Sequence, residues 1–482
     1  RPAPDVPRVG SRLVGVPDVR FEDHLTHPIG RGRVIPDASH GAAGGAACGD
    51  LVRFSLAVAG DRVRAAGFEA SGCGSMLAAG SAAVELVEGA GLLDAARVGS
   101  PQIAAALGGL SAGKLHAADL VSDALHRALG AAVRGHGALA PDPSRTLVAL
   151  SGGVDSAVAA LLAAREPGAD VATVTLELWA DIDNDGERSC CSAAAVRGAR
   201  RLSHELGLPH FTLDLRDEFR AGVVDPWLAG HADGLTPNPC VRCNGHVRLD
   251  AMLDFADRLG AATLTTGHYA RRTADGLLRL AVDPAKDQTY MLAALGRASL
   301  QRLRFPLGEH TKEAVRAIAE QAGLAVARKP ESQDLCFLAG TGRAAFLARH
   351  GALHERPGDI VDRGGRVLGR HRGHHGYTVG QRKGLGIAAA EPLYVVATDA
   401  RANTVTVGTR DDLQTRTVRV RGLRLHDAEL PDAVQLRYHA PALPCRLQGD
   451  QIHLDEPFDG AAPGQTAVFL RGDAIVGCAT IA

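Results

Sequence analysis

The sequence predicts an α/β protein with a parallel sheet at its centre, an α+β domain before it and small β domains after it. Two apolar runs, residues 146–150 and 171–178, flank a glycine-rich turn and an apolar helical segment at 157–164. A strand, turn, helix and strand at this spacing is typical of a parallel α/β sheet. Beyond Pro357, short alternating strands separated by Gly, Pro and Asp turns predict one or two small β-barrels.

The other elements follow from the same periodicities. In the α/β part we predict helices at 193–206 and 247–259, strands at 210–214 and 263–266, and a charged helical region at 311–350. Ahead of it, strands at 51–59 and 62–69 precede an alanine-rich helical half. After it, strands are predicted at 393–397, 404–407 and 417–420.

Composition and charge exclude several classes of protein. The chain has 482 residues, of which 46% are hydrophobic and 22% charged, so about two to four domains are expected. An apolar span of about 20 residues is absent from the sequence and residues 1–10 do not resemble a secretory signal, which favours a cytoplasmic protein without a membrane partner. A net charge of −1 requires any nucleic acid to meet a local basic face. Nine cysteines, unevenly grouped, indicate reactive thiols or metal ligands rather than a disulfide scaffold.

The turn after the first strand of the sheet carries the main chemical signal. It consists of Leu150, Ser151, Gly152, Gly153, Val154, Asp155 and Ser156. Two glycines let the backbone approach an anion, and the serines and the helix N-terminus supply donors and partial positive charge. The turn lacks the Lys-Ser/Thr ending of the kinase-type loop, so transfer of a γ-phosphate is not expected. The alternative is a capped turn without a ligand.

Ser-Gly-Gly-Val-Asp-Ser resembles the signature of the PP-loop ATP pyrophosphatases. Further stretches narrow the resemblance to the tRNA-specific 2-thiouridylase (MnmA/TrmU) family; they lie at 236–244, 267–271, 286–288, 305–308, 329–337 and 377–387. The resemblance implies a PP-loop domain of the adenine nucleotide alpha hydrolase type, a small central domain and a C-terminal β-barrel. It also implies ATP as cofactor, with Leu176 and Gly267 on the adenine side. Asp155 is expected to anchor either Mg²⁺ or the conformation of the pyrophosphate loop.

Three cysteines are candidates for carrying sulfur. Cys240 and Cys243 form a C-x-x-C after a Pro-Asn-Pro turn, and Cys336 lies in a polar stretch far along the chain. The resemblance implies that Cys243 is the catalytic cysteine and Cys336 the persulfide-bearing one, alternating between thiols and a disulfide. Because Cys240 is also a cysteine, the three could instead hold a [4Fe–4S] cluster, or a structural zinc. Cys445 and Cys478, in the β-rich part, are expected to be core residues.

The same resemblance implies contacts to tRNA at the anticodon loop and its wobble uridine. The matching positions are Asn238, Pro239, Cys240, His268, Lys286, Asp287, Gln288, Arg437, Tyr438 and Gln465. The basic run 370–383 would add to this face, because basic loops around a narrow pocket suit a splayed-out base. A cysteine desulfurase or a sulfur relay protein is the expected sulfur donor.

The N-terminal part is similar to the iron–sulfur scaffold family of the IscU/SufU/NifU type. Cys48, Asp50, Cys73 and His116 match its ligand motifs, but Ala117 stands where the family has a third cysteine. These four residues could bind zinc or a weak cluster. The alternative is a structural or docking remnant.

The predicted function is 2-thiolation of uridine-34 of tRNA. ATP adenylates the C2 oxygen, a cysteine persulfide delivers sulfur, and AMP and pyrophosphate leave. Alternatives are an iron–sulfur cluster-dependent thiolase of the same base, a PP-loop ligase or amidase of a small molecule, and an iron–sulfur or sulfur carrier fused to an inactive PP-loop domain. The predicted segments are an irregular 1–27, an IscU-like domain at 28–134, a linker at 135–144, a catalytic domain at 145–345, a central β domain at 346–410 and a barrel at 411–482.

Overall fold

The computed structural model describes residues 19–44, 49–180, 192–330, 335–338 and 340–482. The chain divides into two compact units, one ending at His136 and the other beginning at Gly137. No helix among the described residues is long and apolar enough to cross a membrane.

The first unit is an α+β domain with an antiparallel sheet in the order β1-β2-β3. Its elements are α1 (Val19–Thr26), β1 (Ser39–Gly44), β2 (Leu51–Ala59), β3 (Arg62–Ser71), α2 (Gly74–Val87), α3 (Leu92–Ala95), α4 (Ser100–Ala106) and α5 (Leu115–Gly135). Helix α1 lies in the segment predicted to be irregular. It forms because His24 is buried against α2, with Nδ1 2.8 Å from Ser81 Oγ.

The second unit begins with the predicted parallel sheet, in the order β10-β7-β4-β5-β6. Its elements are β4 (Asp142–Ala149), α6 (Val154–Arg165), β5 (Asp170–Glu177), α7 (Ala193–Glu205), β6 (His210–Asp214), α8 (Arg216–Phe219), α9 (Asp225–Ala232), α10 (Pro239–Cys243), α11 (Leu249–Arg258), β7 (Ala261–Thr265), β8 (Arg271–Arg272), β9 (Leu278–Arg279), α12 (Thr289–Leu292), α13 (Arg297–Arg302), β10 (Leu303–Arg304), α14 (Lys312–Gln321) and α15 (Arg343–Gly351). Strands β4, β5 and β7 are neighbours, so the loops at their carboxyl ends meet at one edge, where such sheets bind ligands.

The observed elements differ from the predicted ones in three further places. Strand β4 begins at Asp142, inside the predicted linker, because Asp142 already pairs with Ala261 of β7. The helix predicted at 247–259 begins with a π-helical turn, Asn244–Arg248, that continues α10 into α11. Among the described residues of the region 311–350, only those of α14 and α15 are helical, and residues 322–330 lie outside helices.

The rest of the second unit is β-rich, as predicted. Strands β11 (Gly358–Val361), β12 (Val367–His371), β13 (Tyr394–Asp399) and β14 (Thr404–Gly408) form a sheet in the order β12-β11-β14-β13. They are followed by β15 (Gln414–Leu425), β16 (Ala433–Gln435), β17 (Leu443–Gln448), β18 (Gln451–Asp459), β19 (Thr466–Arg471) and β20 (Ala474–Ile481). Pairing of β15 with both β18 and β20 closes this last group into a barrel. Its core includes Val434, Phe469 and Cys445.

Candidate active site and metal centre

The loop between β4 and α6 is organised by its own serines. Ser156 Oγ accepts a hydrogen bond from Ser151 N at 3.1 Å and donates to Gly153 O at 3.1 Å. Leu150 O accepts from Thr175 Oγ1 of β5 at 2.7 Å. Val154 is the first residue of α6, so the first N–H groups of this helix lie directly after the glycines. The loop is therefore fixed as an anion cradle by contacts within itself and with β5.

Two glycines are required by close packing. Gly152 has φ +72°, and a Cβ there would lie 2.9 Å from Ala195 O of α7. At Gly267, directly after β7 and Thr266, a Cβ would lie 2.7 Å from Ser156 N. The loop thus has backbone of α7 on one side and Gly267 on the other, and neither position has room for a side chain.

Asp155 is bound to side chains that sequence reasoning did not assign. Its Oδ1 accepts from Tyr269 Oη at 2.9 Å and lies 2.6 Å from Lys312 Nζ on α14. Lys312 is buried. A further lysine, Lys329, donates to Gly152 O at 2.9 Å. Tyr269 and Lys329 belong to the quoted family stretches; Lys312 carries no local sequence signal, because only the packing of α14 on α6 brings it here.

A cavity of about 220 Å³ opens at this edge of the sheet. Its lining includes Leu150, Ser151, Asp155, Ser156, Leu176, Gly267, His268 and Gln288, together with Arg248 and Met252. The structure therefore brings most of the predicted nucleotide residues together. It also places His268 and Gln288, which were predicted to contact tRNA, in the same cavity.

His268 is a neutral group in this cavity. Burial, assisted by the charge of Arg248, lowers the pKa of its imidazole to about 3. Its Nδ1 lies 2.9 Å from Thr266 Oγ1. Arg248 is half-buried and makes no ion pair with any residue that the structure describes. A cation without a carboxylate, beside an anion cradle, is suited to a phosphate.

The first cysteine-bearing segment is α10 and the turn before it. Asn238 Oδ1 caps the helix, accepting from Cys240 N at 3.1 Å and Val241 N at 3.2 Å, and Pro239 is its first residue. Cys243 is buried and Cys240 half-buried. The α-to-π transition directly after Cys243 is of the kind often found at functional sites.

The second cysteine-bearing segment is held by an aromatic cluster. Cys336 is half-buried, and its neighbour Phe337 is 3% exposed. The Phe337 ring lies 5.3 Å from Trp227 of α9 and 5.1 Å from Phe346 of α15, measured between centroids. Trp227 also borders a cavity that Pro239 and Val241 line. Trp227 therefore packs against the second cysteine-bearing segment and lines a cavity with the first.

Several residues predicted to contact tRNA lie where the barrel meets the α/β part. Gln465 Nε2 donates to Thr236 O at 2.6 Å, and Tyr438 Oη lies 3.4 Å from Asp287 O. Burial, with the charges of Asp287 and Cys240, raises the pKa of Tyr438. Arg437 donates to the carbonyls of Asp459 and Gly460.

The segment 286–288 is organised largely by its own contacts. The Asp287 carboxylate accepts from Ala281 N at 2.7 Å and from Thr289 Oγ1 at 2.6 Å, and burial raises its pKa. Gln288 Oε1 accepts from Tyr269 N at 3.1 Å. Lys286 is half-buried beside them. The carboxylate of Asp287 thus organises a turn, and Gln288 positions the tyrosine that binds Asp155.

A metal-ligand cluster lies in the first unit. The ligand atoms of Asp50, Cys73 and His116 all lie within 4.8 Å of one another. His116 Nδ1 lies 2.9 Å from Gly113 O, which favours the proton on that nitrogen, and Nε2 faces Asp50 Oδ2 at 3.0 Å. A thiol, a carboxylate oxygen and an imidazole nitrogen grouped in this way are ligand types that zinc accepts, and a backbone carbonyl on the other ring nitrogen is typical of a metal-binding histidine. Cys48 lies outside the described residues, and Ala117 is fully buried and offers no ligand.

Family models match both units. A NifU-like N terminal domain matches residues 19–134, and a tRNA methyl transferase HUP domain matches 144–340. A tRNA methyl transferase PRC-barrel domain matches 344–409, and an aminomethyltransferase beta-barrel domain matches 415–481. Fold and site together define a PP-loop nucleotide-binding protein joined to a NifU-like domain.

Known relatives narrow this class. A bifunctional NifU/MnmA protein of Rubrobacter xylanophilus is 45% identical over 474 residues, 94% of this chain and 96% of that protein. Two MnmA proteins described as tRNA-specific 2-thiouridylases, from Roseiflexus sp. and Salinispora tropica, are 41% and 45% identical over 70% of this chain and 99% of their own lengths. The chain belongs to the MnmA family, in its bifunctional form with a NifU-like domain.

Proposed function

We propose that this chain is an ATP-dependent tRNA sulfurtransferase that converts uridine-34 to 2-thiouridine. The observation that supports it most is the cavity between Ser151, Ser156 and Gly267, in a chain whose relatives are named tRNA-specific 2-thiouridylases. ATP would lie in this cavity with its pyrophosphate end at the loop and its adenine towards Leu176. Magnesium, where bound, would offset phosphate charge.

The reaction is proposed in two steps. The C2 oxygen of the uridine attacks the α-phosphate of ATP, and pyrophosphate leaves. The terminal sulfur of a Cys336 persulfide then attacks C2, and AMP leaves with the oxygen. The Cys243 thiolate attacks Cys336 Sγ, which releases 2-thiouridine and leaves a Cys243–Cys336 disulfide. An external thiol reductant and a sulfur donor restore the persulfide.

The first unit is proposed to bind zinc through Cys48, Asp50, Cys73 and His116. Its covalent fusion to the second unit would raise the effective concentration of either unit for the other.

The test is thiolation of tRNA in vitro with ATP and a persulfide donor, followed by mass spectrometry of the nucleosides. Cys336→Ala is expected to abolish 2-thiouridine and to keep ATP binding. Cys445→Ala is the matched control, because burial raises the pKa of that barrel thiol to about 11 and keeps it unreactive. Retained activity in Cys336→Ala would contradict the proposal. Iron and sulfide bound at Cys240, Cys243 and Cys336 would favour the cluster-dependent alternative.

A further inference from the structure

A second cavity, distinct from the nucleotide cavity, lies between α9, α10 and the barrel strands β15 and β20. It has a volume of about 380 Å³. We call it the arginine cleft; its lining includes Arg242, Arg421, Arg424, His246, Trp227, Asn238 and Thr480. Neither Arg421 nor Arg424 was among the predicted tRNA contacts.

A β-bulge turns two arginines of β15 into this cleft. In a regular strand, residues three apart point to opposite faces of the sheet. Here Arg421 pairs with Thr480 and Arg424 with Cys478, so β15 has one residue more than β20 over this stretch. The extra residue restores both side chains to the same face, and both line the cleft.

The cleft carries positive charge without a protein counter-ion. Among the described residues, none of Arg242, Arg421 and Arg424 takes part in an ion pair. Two other arginines of the barrel do: Arg471 pairs with Asp427 at 2.6 Å, and Arg419 lies 3.8 Å from Asp450. The charges of Arg424 and Arg242 act on the same group. The pKa of His246 is lowered mainly by burial, and further by Arg424 and by Arg242. Three guanidinium groups on two elements around one cavity form an anion site.

The residues that line the arginine cleft indicate which kind of anion it binds. One wall is apolar, formed by Val223, Pro226 and Trp227, which suits a sugar or a base more than inorganic phosphate. The cleft also reaches Asn238 and Pro239, beside the cysteines proposed to modify uridine. We propose that the arginine cleft binds the phosphodiester strand of the tRNA next to its target base. This inference rests on the proposed function only in taking tRNA as the substrate.

The experiment compares two double variants of the full chain with the same change in charge. Arg421→Met/Arg424→Met removes two arginines of the cleft. Arg416→Met/Arg419→Met removes two arginines of the same strand that do not line it; Arg419 lies 3.8 Å from Asp450 and Arg416 contacts Asp455. The affinity for a tRNA transcript is measured between about 0.05 and 0.3 M salt, with and without uridine at position 34.

In the cleft variant, tRNA affinity at about 0.1 M salt is expected to fall roughly 10-fold, and the slope of log K against log salt by about 1.5 to 2. The affinity for both transcripts should fall by the same factor, because phosphates carry no sequence information. The control should keep the wild-type slope, and KM for ATP should not change in either variant.

Three outcomes would overturn the inference. One is an unchanged salt slope in the cleft variant. A second is an equal loss in the control, which would indicate a general effect of charge. The third is a slower sulfur transfer with tRNA affinity unchanged, which would assign the cleft to the sulfur-donor protein. Failure of the proposed function is separate, since it would appear as wild-type chain that binds tRNA but forms no 2-thiouridine.

Discussion

Lys312 Nζ lies 2.6 Å from Asp155 Oδ1 and joins α14 to the first turn of α6. The lysine is buried, while the Asp155 side chain is 32% exposed beside the nucleotide cavity. Breaking such a pair on one side leaves a charge buried without its partner, which costs more than the pair contributes. The ion pair therefore links the shape of the phosphate loop to the packing of α14.

Asp155→Asn should lower the free energy of unfolding by about 2 kcal/mol, because Lys312 is left without its carboxylate. Asp155→Asn/Lys312→Met should recover much of that loss but still bind ATP weakly, since the loop has lost its anchor. Urea unfolding and ATP titration of the full chain measure the two effects. If the double variant is as unstable as the single one, the unpaired charge of Lys312 is not the cause of the lost stability.

Gly267→Ala should weaken ATP binding about 10-fold or more. The new Cβ would meet Ser156 N at 2.7 Å and Asp155 C at 2.8 Å, and this backbone can give way only by displacing the phosphate loop. Gly198→Ala, in α7, is the control: a Cβ there meets nothing within 4 Å, and alanine favours a helix. ATP titration of both variants checks the expectation, and equal affinities would refute it.

Arg248→Met should raise KM for ATP about 10-fold or more, because a charge-assisted contact to phosphate is removed. Arg248→Lys should raise KM for ATP less, because lysine keeps the positive charge but lacks the planar guanidinium that can bind two phosphate oxygens. Arg258→Met, on the exposed face of α11, should leave KM unchanged. Exchange of labelled pyrophosphate into ATP with tRNA present gives the readout. An unchanged KM in Arg248→Met would place this arginine outside the phosphate contacts.

Stability should depend on pH through His268. The folded-state pKa of about 3 lies below the ordinary value of 6.5, so the unfolded chain binds the proton more readily. The stability tied to a neutral imidazole is therefore complete above pH 6.5 and is lost as pH falls towards 3. As pH falls through that window, the free energy of unfolding of wild type should decrease, relative to that of His268→Gln, by up to about 1.4 kcal/mol per pH unit. Exposed His354→Gln should show the wild-type slope in urea unfolding at pH 7 and 5.

Zinc binding by the first unit should depend on the cluster in the structure. His116→Ala and Cys73→Ser should each lower zinc affinity by about 100-fold or more, since each removes a ligand atom. His136→Ala, exposed after α5, should bind zinc as wild type does. Metal analysis after dialysis against a graded chelator series measures this. If His116→Ala retains zinc as wild type does, His116 is not a zinc ligand.

The sequence predicted the elements of the α/β part closely, and strand β6 at 210–214 matches its prediction. The adjacent parallel strands β4 and β5 are buried, so each appears in the sequence as an apolar run. The Gly-Gly turn between β4 and α6 is also recognisable from its residues alone. The prediction was wrong where tertiary contacts decide: α1 forms against Ser81, and β4 is extended by pairing with Ala261.

The sequence by itself determined the phosphate loop, the cysteine-bearing segments and the family, because short stretches of fixed residue type carry that information. Only the tertiary structure decided that Lys312 meets Asp155, that Arg248 and His268 share the nucleotide cavity, and that a bulge aims Arg421 and Arg424 into one cleft. Such pairings join residues far apart in the chain. They depend on how helices and strands pack, which no local pattern of residues records.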